Sequence, residues 1–154
     1  MVSMRAWLKQ LWERLRGARR AFTESHRTGA LGEAVAAGFL TRKRGMAILA
    51  RNWRSPRDRR FEIDIVCRGP GGMIVFVEVK TYPTVRIFQG YATVNRRKKA
   101  LLKRAARDYL HGLGPLRRGL AYRFDIVMIE RTEDDRLLPH HFENVPLFSK
   151  GMHL

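Results

Sequence analysis

The chain has 154 residues, of which 45% are hydrophobic, 31 are Lys or Arg and 14 are Asp or Glu, leaving a formal charge of +17. That length suits one domain with a single sizeable core, and the apolar content excludes a chain that is disordered as a whole. The charge excess predicts a polyanionic partner, nucleic acid first and an anionic membrane surface second, and it is silent on catalysis.

Residues Met4 to Leu15 place Met4, Trp7, Leu8, Leu11, Trp12 and Leu15 at helical spacing with Arg5, Lys9 and Arg14 between them. A basic amphipathic helix is expected, able to lie on anionic lipid, to dock on its own domain, or to join two copies as a homodimer. Arg16 to Arg27 reads as a basic linker, so the chain is expected to divide into residues 1–27 and a main domain over 28–154. No apolar run reaches the length of a membrane span and the N-terminus lacks an uninterrupted signal-like stretch, which together with a lone Cys67 predicts a reducing, cytoplasmic setting.

Thr28 is placed to cap a helix running to about Arg44, with Gly45 to end it. Between Arg27 and Arg42 its one charged residue is Glu33, among Leu31, Ala34, Val35, Ala36, Ala37, Phe39 and Leu40. A helix this apolar is expected to be buried, and a carboxylate carried inward costs several kcal/mol unless it meets a cation or donors. Met46 to Trp53 reads as a strand, and Ser55 to Asp58 as a loop.

Phe61 to Lys80 then reads as two strands around Gly69-Pro70-Gly71-Gly72, a β-hairpin. Centred on Gly71, the register sets Asp64 opposite Glu78 and Glu62 opposite Lys80. These four share a face with Val66 and Phe76, while Ile63, Ile65, Cys67, Val75, Val77 and Val79 form an all-core face. Two carboxylates about 4 Å apart repel by about 4 kcal/mol at an effective dielectric near 20, against about 0.2–1 kcal/mol for a good cross-strand pair. A cation is therefore expected: Lys80 in part, and a hard divalent ion, Mg²⁺ or Mn²⁺, for which oxygen ligands are suited. The alternative is a solvated strand end in which Lys80 pairs with Glu62.

Tyr82 to Thr93, with Arg86 and Gln89, reads as a loop able to overhang the acidic site. Asn95 is placed to cap a helix to about Leu113, with Leu101, Leu102, Ala105, Ala106, Tyr109 and Leu110 inward and Arg96, Arg97, Lys98, Lys99, Lys103 and Arg104 forming a basic surface near its N-terminus, where phosphate is favoured. Ala121 to Glu130 reads as a strand with Arg123 and Asp125 on one face, paired with each other or supporting Glu33, and Phe124, Ile126 and Met128 on the other. Beyond Arg131 no element is assigned; His140 and His141 point in different directions if extended and have no partners at zinc spacing.

Gly32-Glu33, Ala50-Arg51-Asn52-Trp53-Arg54, Glu62-Ile63-Asp64, Val75-Phe76-Val77-Glu78-Val79-Lys80, Lys98 and Arg123-Phe124-Asp125, in this order and spacing, resemble the YraN-like family of small bacterial proteins. That family looks like the archaeal Holliday-junction resolvases of the PD-(D/E)xK nuclease superfamily. The resemblance covers roughly Thr28 to Glu130 and implies an α/β restriction-endonuclease-like core, a mixed sheet flanked by helices. It also implies catalytic roles for Glu33, Asp64, Glu78 and Lys80. The chain departs from the family pattern at Phe61, where Gly is usual, and at Tyr82, where a basic residue is common. The expectation is an endonuclease dependent on Mg²⁺ or Mn²⁺, acting on DNA ahead of RNA. Asp64, Glu78 and the Val79 carbonyl would hold metal, Arg96, Arg97, Lys98 and Lys99 would hold phosphates, and Glu62, Gln89, Arg123 and Asp125 would support the site. The alternative is a non-catalytic nucleic-acid-binding module of the same fold.

Overall fold

The structure, a computed structural model, describes residues 27–83 and 96–147. The amphipathic helix over Met4 to Leu15, the linker up to His26, Gln89 and its loop, and the Asn95 cap lie outside the described residues, as does the side chain of Arg96. The chain divides into two compact units, Met1–Leu31 and Gly32–Leu154, and the fold is that of the second.

Helix α1 covers residues 27–44. Strands β1 (Ala47–Arg54), β2 (Glu62–Arg68) and β3 (Ile74–Pro83) follow, then helix α2 (Arg96–Gly112), β4 (Tyr122–Arg131) and β5 (Leu137–Phe142). The five strands lie in chain order, with β3 and β4 parallel and every other neighbouring pair antiparallel. A parallel pair needs a long crossover, and α2 lies in it. The result is the expected α/β fold, a mixed sheet flanked by helices.

Each sheet face is covered by one helix. Ala36, Ala37 and Leu40 of α1 pack on Ile65, Cys67, Val75, Val77, Val127 and Ile129. Leu102, Ala105, Ala106 and Leu110 of α2 pack on Val66, Phe76, Phe124, Ile126 and Met128. Burial on both faces explains why β3 opens with the unbroken apolar run Ile74 to Val77 rather than an alternating one. It also corrects the one-core-face reading of the hairpin: Val66 and Phe76 are core under α2, and Ile63 joins that side too, where β2 has parted from β3.

Thr28 lies inside α1 rather than capping it, since residue 27 is already helical, whereas Gly45 does end the helix at φ +63°. Leu31 and Ala34 are exposed, so α1 buries a stripe and not its whole circumference. The hairpin turn is a 3-10 segment, Pro70–Gly72, and the four paired positions from Arg68↔Ile74 to Ile65↔Val77 keep the register centred on Gly71. Strand β5, unassigned from sequence, contains Pro139; it is an edge strand, where a missing N–H is tolerated.

Gly32 of α1 lies close against β3: a Cβ there would run into Oγ1 of Thr81. Alanine is the better helix former by about 1 kcal/mol, but overpacking costs about 1–3 kcal/mol. Gly32→Ala should therefore lower the unfolding free energy by about 1–2 kcal/mol, and Gly32→Ala/Thr81→Ala should recover most of it. Urea melts of the three proteins test this, and a Gly32→Ala protein as stable as the wild type would remove the close approach.

Candidate functional site

The β2–β3 ladder stops at Ile65↔Val77. One position further, the same register sets Asp64 against Glu78, and there the backbone pairing is replaced by a side chain: Asp64 Oδ2 accepts from the Val79 N–H at 2.8 Å. The strands part around two carboxylates. Glu78 is only 4% exposed, and both nearby ammonium groups reach the same oxygen, with Lys80 Nζ at 2.7 Å and Lys98 Nζ at 3.3 Å from Oε1. Glu78 Oε2 is buried without a hydrogen-bond partner.

The titration of Asp64 reflects this crowding. Burial, then the charge of Glu78, push its pKa up from 3.8 to about 7; the Val79 N–H and Lys98 pull against this, and Glu33 adds to the rise. Glu33, half-buried on α1, thus acts on the same site from the neighbouring element. For Lys80, burial favours the neutral amine, but the charge and hydrogen bond of Glu78, with Asp64 and Tyr82, outweigh it and hold the pKa above its ordinary value. Lys80 is a charged donor here and not a base.

Among the described residues no group of three or more His, Cys, Asp or Glu is arranged as a metal cage. Two carboxylates nonetheless fit an ion that keeps several of its waters, as Mg²⁺ does. The unpartnered Oε2 of Glu78 is the observation that favours the fit, because a buried carboxylate oxygen without a donor is costly unless something cationic meets it. Asp64, Glu78 and the carbonyl of Val79 are the groups that would hold such an ion.

A family model described as "Uncharacterised protein family UPF0102" matches residues 32–129. This chain belongs to that family. Similar members include UPF0102 protein STH1475 of Symbiobacterium thermophilum, 42% identical over 113 residues that make up 73% of this chain and 90% of the relative. UPF0102 protein Acid345_3985 of Koribacter versatilis is 41% identical over 106 residues, 69% of this chain and 70% of the relative. UPF0102 protein RB9115 of Rhodopirellula baltica is 33% identical over 150 residues, covering 90% of this chain and 84% of the relative. The UPF0102 match runs from α1 into β4, so it contains Glu33, Asp64, Glu78, Lys80 and Lys98 and stops short of β5.

Not every predicted residue comes to this site of the UPF0102 fold. Glu62 is placed by the β1–β2 pairing beside Arg54, at 3.1 Å, and Lys80 takes Glu78 as its partner instead. Lys98, read as a phosphate holder, reaches inward to Glu78, whereas Arg97 is exposed and Lys99 half-buried on α2. Arg123 and Asp125 pair with each other at 3.0 Å and form a separate buried cluster rather than supporting Glu33. That cluster also takes in His141, whose Nε2 lies 2.8 Å from Asp125 Oδ2, the Asn144 N–H, and Glu143, 3.0 Å from Arg123. His141 escaped the sequence reading because its strand, β5, did; the alternation that sends His140 to Glu130 and His141 to Asp125 was the available signal. Phe61 packs against the α2 core with the Arg104 guanidinium 5.7 Å from its ring centroid.

No helix among the described residues is long and apolar enough to cross a membrane.

Proposed function

We propose that this protein is a nuclease dependent on Mg²⁺ or Mn²⁺ that hydrolyses phosphodiester bonds, in DNA ahead of RNA, with the chemistry of the PD-(D/E)xK superfamily. The observation that carries the reading is the pair of a half-buried Asp64 and a buried Glu78 where two strands part, with two lysines on one oxygen of Glu78 and its other oxygen unpartnered. Sheet formation by itself disfavours such a pair.

When bound, the ion supplies Lewis acidity, which lowers the pKa of water and offsets charge on the phosphate. Asp64 must give up its proton to take part, and with a pKa of about 7 it does so at neutral pH and above. Glu78 holds Lys80 charged and in place, so that its N–H bonds can turn to the attacking water or to the phosphate oxygen that gains charge. Lys98, on the same oxygen of Glu78, is positioned to exchange that contact for a phosphate of the substrate. Arg97 and Lys99 would hold the backbone without reading bases.

The absence of a three-membered donor cluster among the described residues favours a second reading, a nucleic-acid-binding module of the same fold without turnover. Both readings predict binding. Linear, flapped and four-way DNA incubated with Mn²⁺ separates them: the nuclease reading expects cleavage of at least one substrate, lost with EDTA and in Glu78→Ala, and reduced at least 100-fold in Lys80→Ala, as for loss of a positioned charged donor. Binding by the wild type with no Mn²⁺-dependent product on any substrate leaves the binding module.

A further inference from the structure

The far end of α2 carries a second basic feature, away from the carboxylates. Where α2 ends and β4 begins, a cleft of about 460 Å³ is lined by Arg107, His111, Arg117 and Arg118, with Leu110, Leu120 and Tyr122 completing its wall. Among the described residues none that lines it is acidic. Some exposed arginines elsewhere meet carboxylates, as Arg54 meets Glu62, Arg60 meets Asp58 and Arg136 meets Asp134, while others, such as Arg51 and Arg59, make no ion pair among the described residues. Arg107, Arg117 and Arg118 make no ion pair among the described residues.

The guanidinium of Arg117 can only donate, so its contact with His111 Nδ1 at 3.0 Å makes that nitrogen the acceptor and leaves the proton on Nε2. With that tautomer the imidazole keeps an N–H donor at Nε2 beside the three guanidinium groups. The carbonyl end of α2, which would repel an anion, is partly satisfied: Leu110 O accepts from the Leu113 N–H and Leu113 O from the Leu116 N–H. Lys99, Lys103, Arg107 and His111 follow one another at intervals of four, and residues four apart on a helix are surface neighbours. They form one basic row from the residue after Lys98 to the cleft.

We propose that this row and cleft are a second phosphate-binding subsite, through which a nucleic-acid strand engaged at the carboxylates continues along α2, its sugar face on the Leu110, Leu120 and Tyr122 wall. The inference rests on the nucleic-acid reading above and deepens it by setting the length of substrate the protein needs. From Lys98 to His111 α2 rises about 20 Å at 1.5 Å per residue, which corresponds to about six base pairs of duplex at 3.4 Å each.

The test compares Arg117→Gln/Arg118→Gln with Arg60→Gln/Arg136→Gln, which removes the same charge from ion-paired surface positions. Anisotropy of a fluorescein-labelled 20-base-pair duplex, titrated across a salt series, reads the number of phosphate contacts, and Mn²⁺-dependent cleavage is followed on the same preparations. The expected result is a salt slope lower by about 2 and an affinity at least tenfold weaker for the cleft variant, with less than a twofold change for the surface variant. Equal effects of the two variants, or no binding by the wild type, overturn the proposal. Millimolar AMP binding at the cleft with unchanged duplex affinity also overturns it, in favour of a mononucleotide site. An unaltered slope with cleavage present removes the subsite and leaves the nuclease reading standing; a lowered slope without cleavage supports the subsite and removes the nuclease reading.

Discussion

Replacing Asp64 with Asn should stabilise the metal-free protein, and the gain should grow with pH. The folded carboxyl keeps its proton up to about pH 7, against 3.8 ordinarily, because of burial and the charge of Glu78. A folded pKa raised in this way means that the group's contribution is full below about pH 4 and is lost as pH rises through about 7. Between pH 5.5 and 8 the wild type should therefore lose on the order of 2 kcal/mol that Asp64→Asn keeps. The amide still offers an oxygen to the Val79 N–H, so the bond that bridges the parted strands survives. Mn²⁺ at 100 times its Kd should add about 2.7 kcal/mol to the wild type and nothing comparable to the variant. Urea melts at both pH values, with EDTA and with Mn²⁺, measure all of this. Parallel pH profiles and equal metal responses in the two proteins would sink the paired-carboxylate site and the nuclease reading with it.

The other large effect is expected at a residue given no part in the proposed chemistry. Asp125 is 1% exposed and accepts from Arg123, His141 and the Asn144 N–H, so it ties β4 to β5 and to the segment beyond. Asp125→Ala would strand a mostly buried guanidinium and a fully buried imidazole, and breaking a buried pair by removing one partner costs about 3–5 kcal/mol. Glu143, 44% exposed and 3.0 Å from Arg123, is a poor substitute because solvent screens it. We expect the urea midpoint of Asp125→Ala to fall far below that of Glu143→Ala, which should stay within about 1 kcal/mol of the wild type. A mild Asp125→Ala phenotype would show that the cluster relaxes or admits water.

This cluster and the carboxylate site contain similar residues, yet they behave differently because their charges balance differently. Around Asp125 every oxygen meets a donor, and the group is structural. At Glu78 two ammonium groups crowd one oxygen and leave the other without a partner, and its charge helps hold the proton of a second carboxyl, Asp64, to neutral pH. The Asp125 cluster also holds buried atoms without a hydrogen bond, Arg123 Nε and His141 Nδ1, but each faces a carboxylate, at 3.0 Å and 3.8 Å, whereas Glu78 Oε2 is a carboxylate oxygen with no such cation against it among the described residues.

The local features were readable in the chain. The α/β class, the spans of β1 to β4 and α2 to within a few residues, and the Gly71-centred register all follow from periodicity and turn chemistry, which act between near neighbours. So does the opposition of Asp64 and Glu78, because in a hairpin the turn determines which residues face each other. What lay beyond was decided by contacts between distant segments. Burial of both faces of β3 depends on α1 and α2 arriving from opposite sides, so Val66 and Phe76 could not be told from residues of a solvated face. Glu62 was misplaced because its partner, Arg54, comes from β1, which the hairpin register does not include. Strand β5 escaped because it is short, contains Pro139 and earns its place only as the edge beside β4. The inward turn of Lys98, the unpartnered Oε2 of Glu78 and the cleft at the end of α2 likewise exist only after the crossover helix docks, since docking sets which charges are desolvated together.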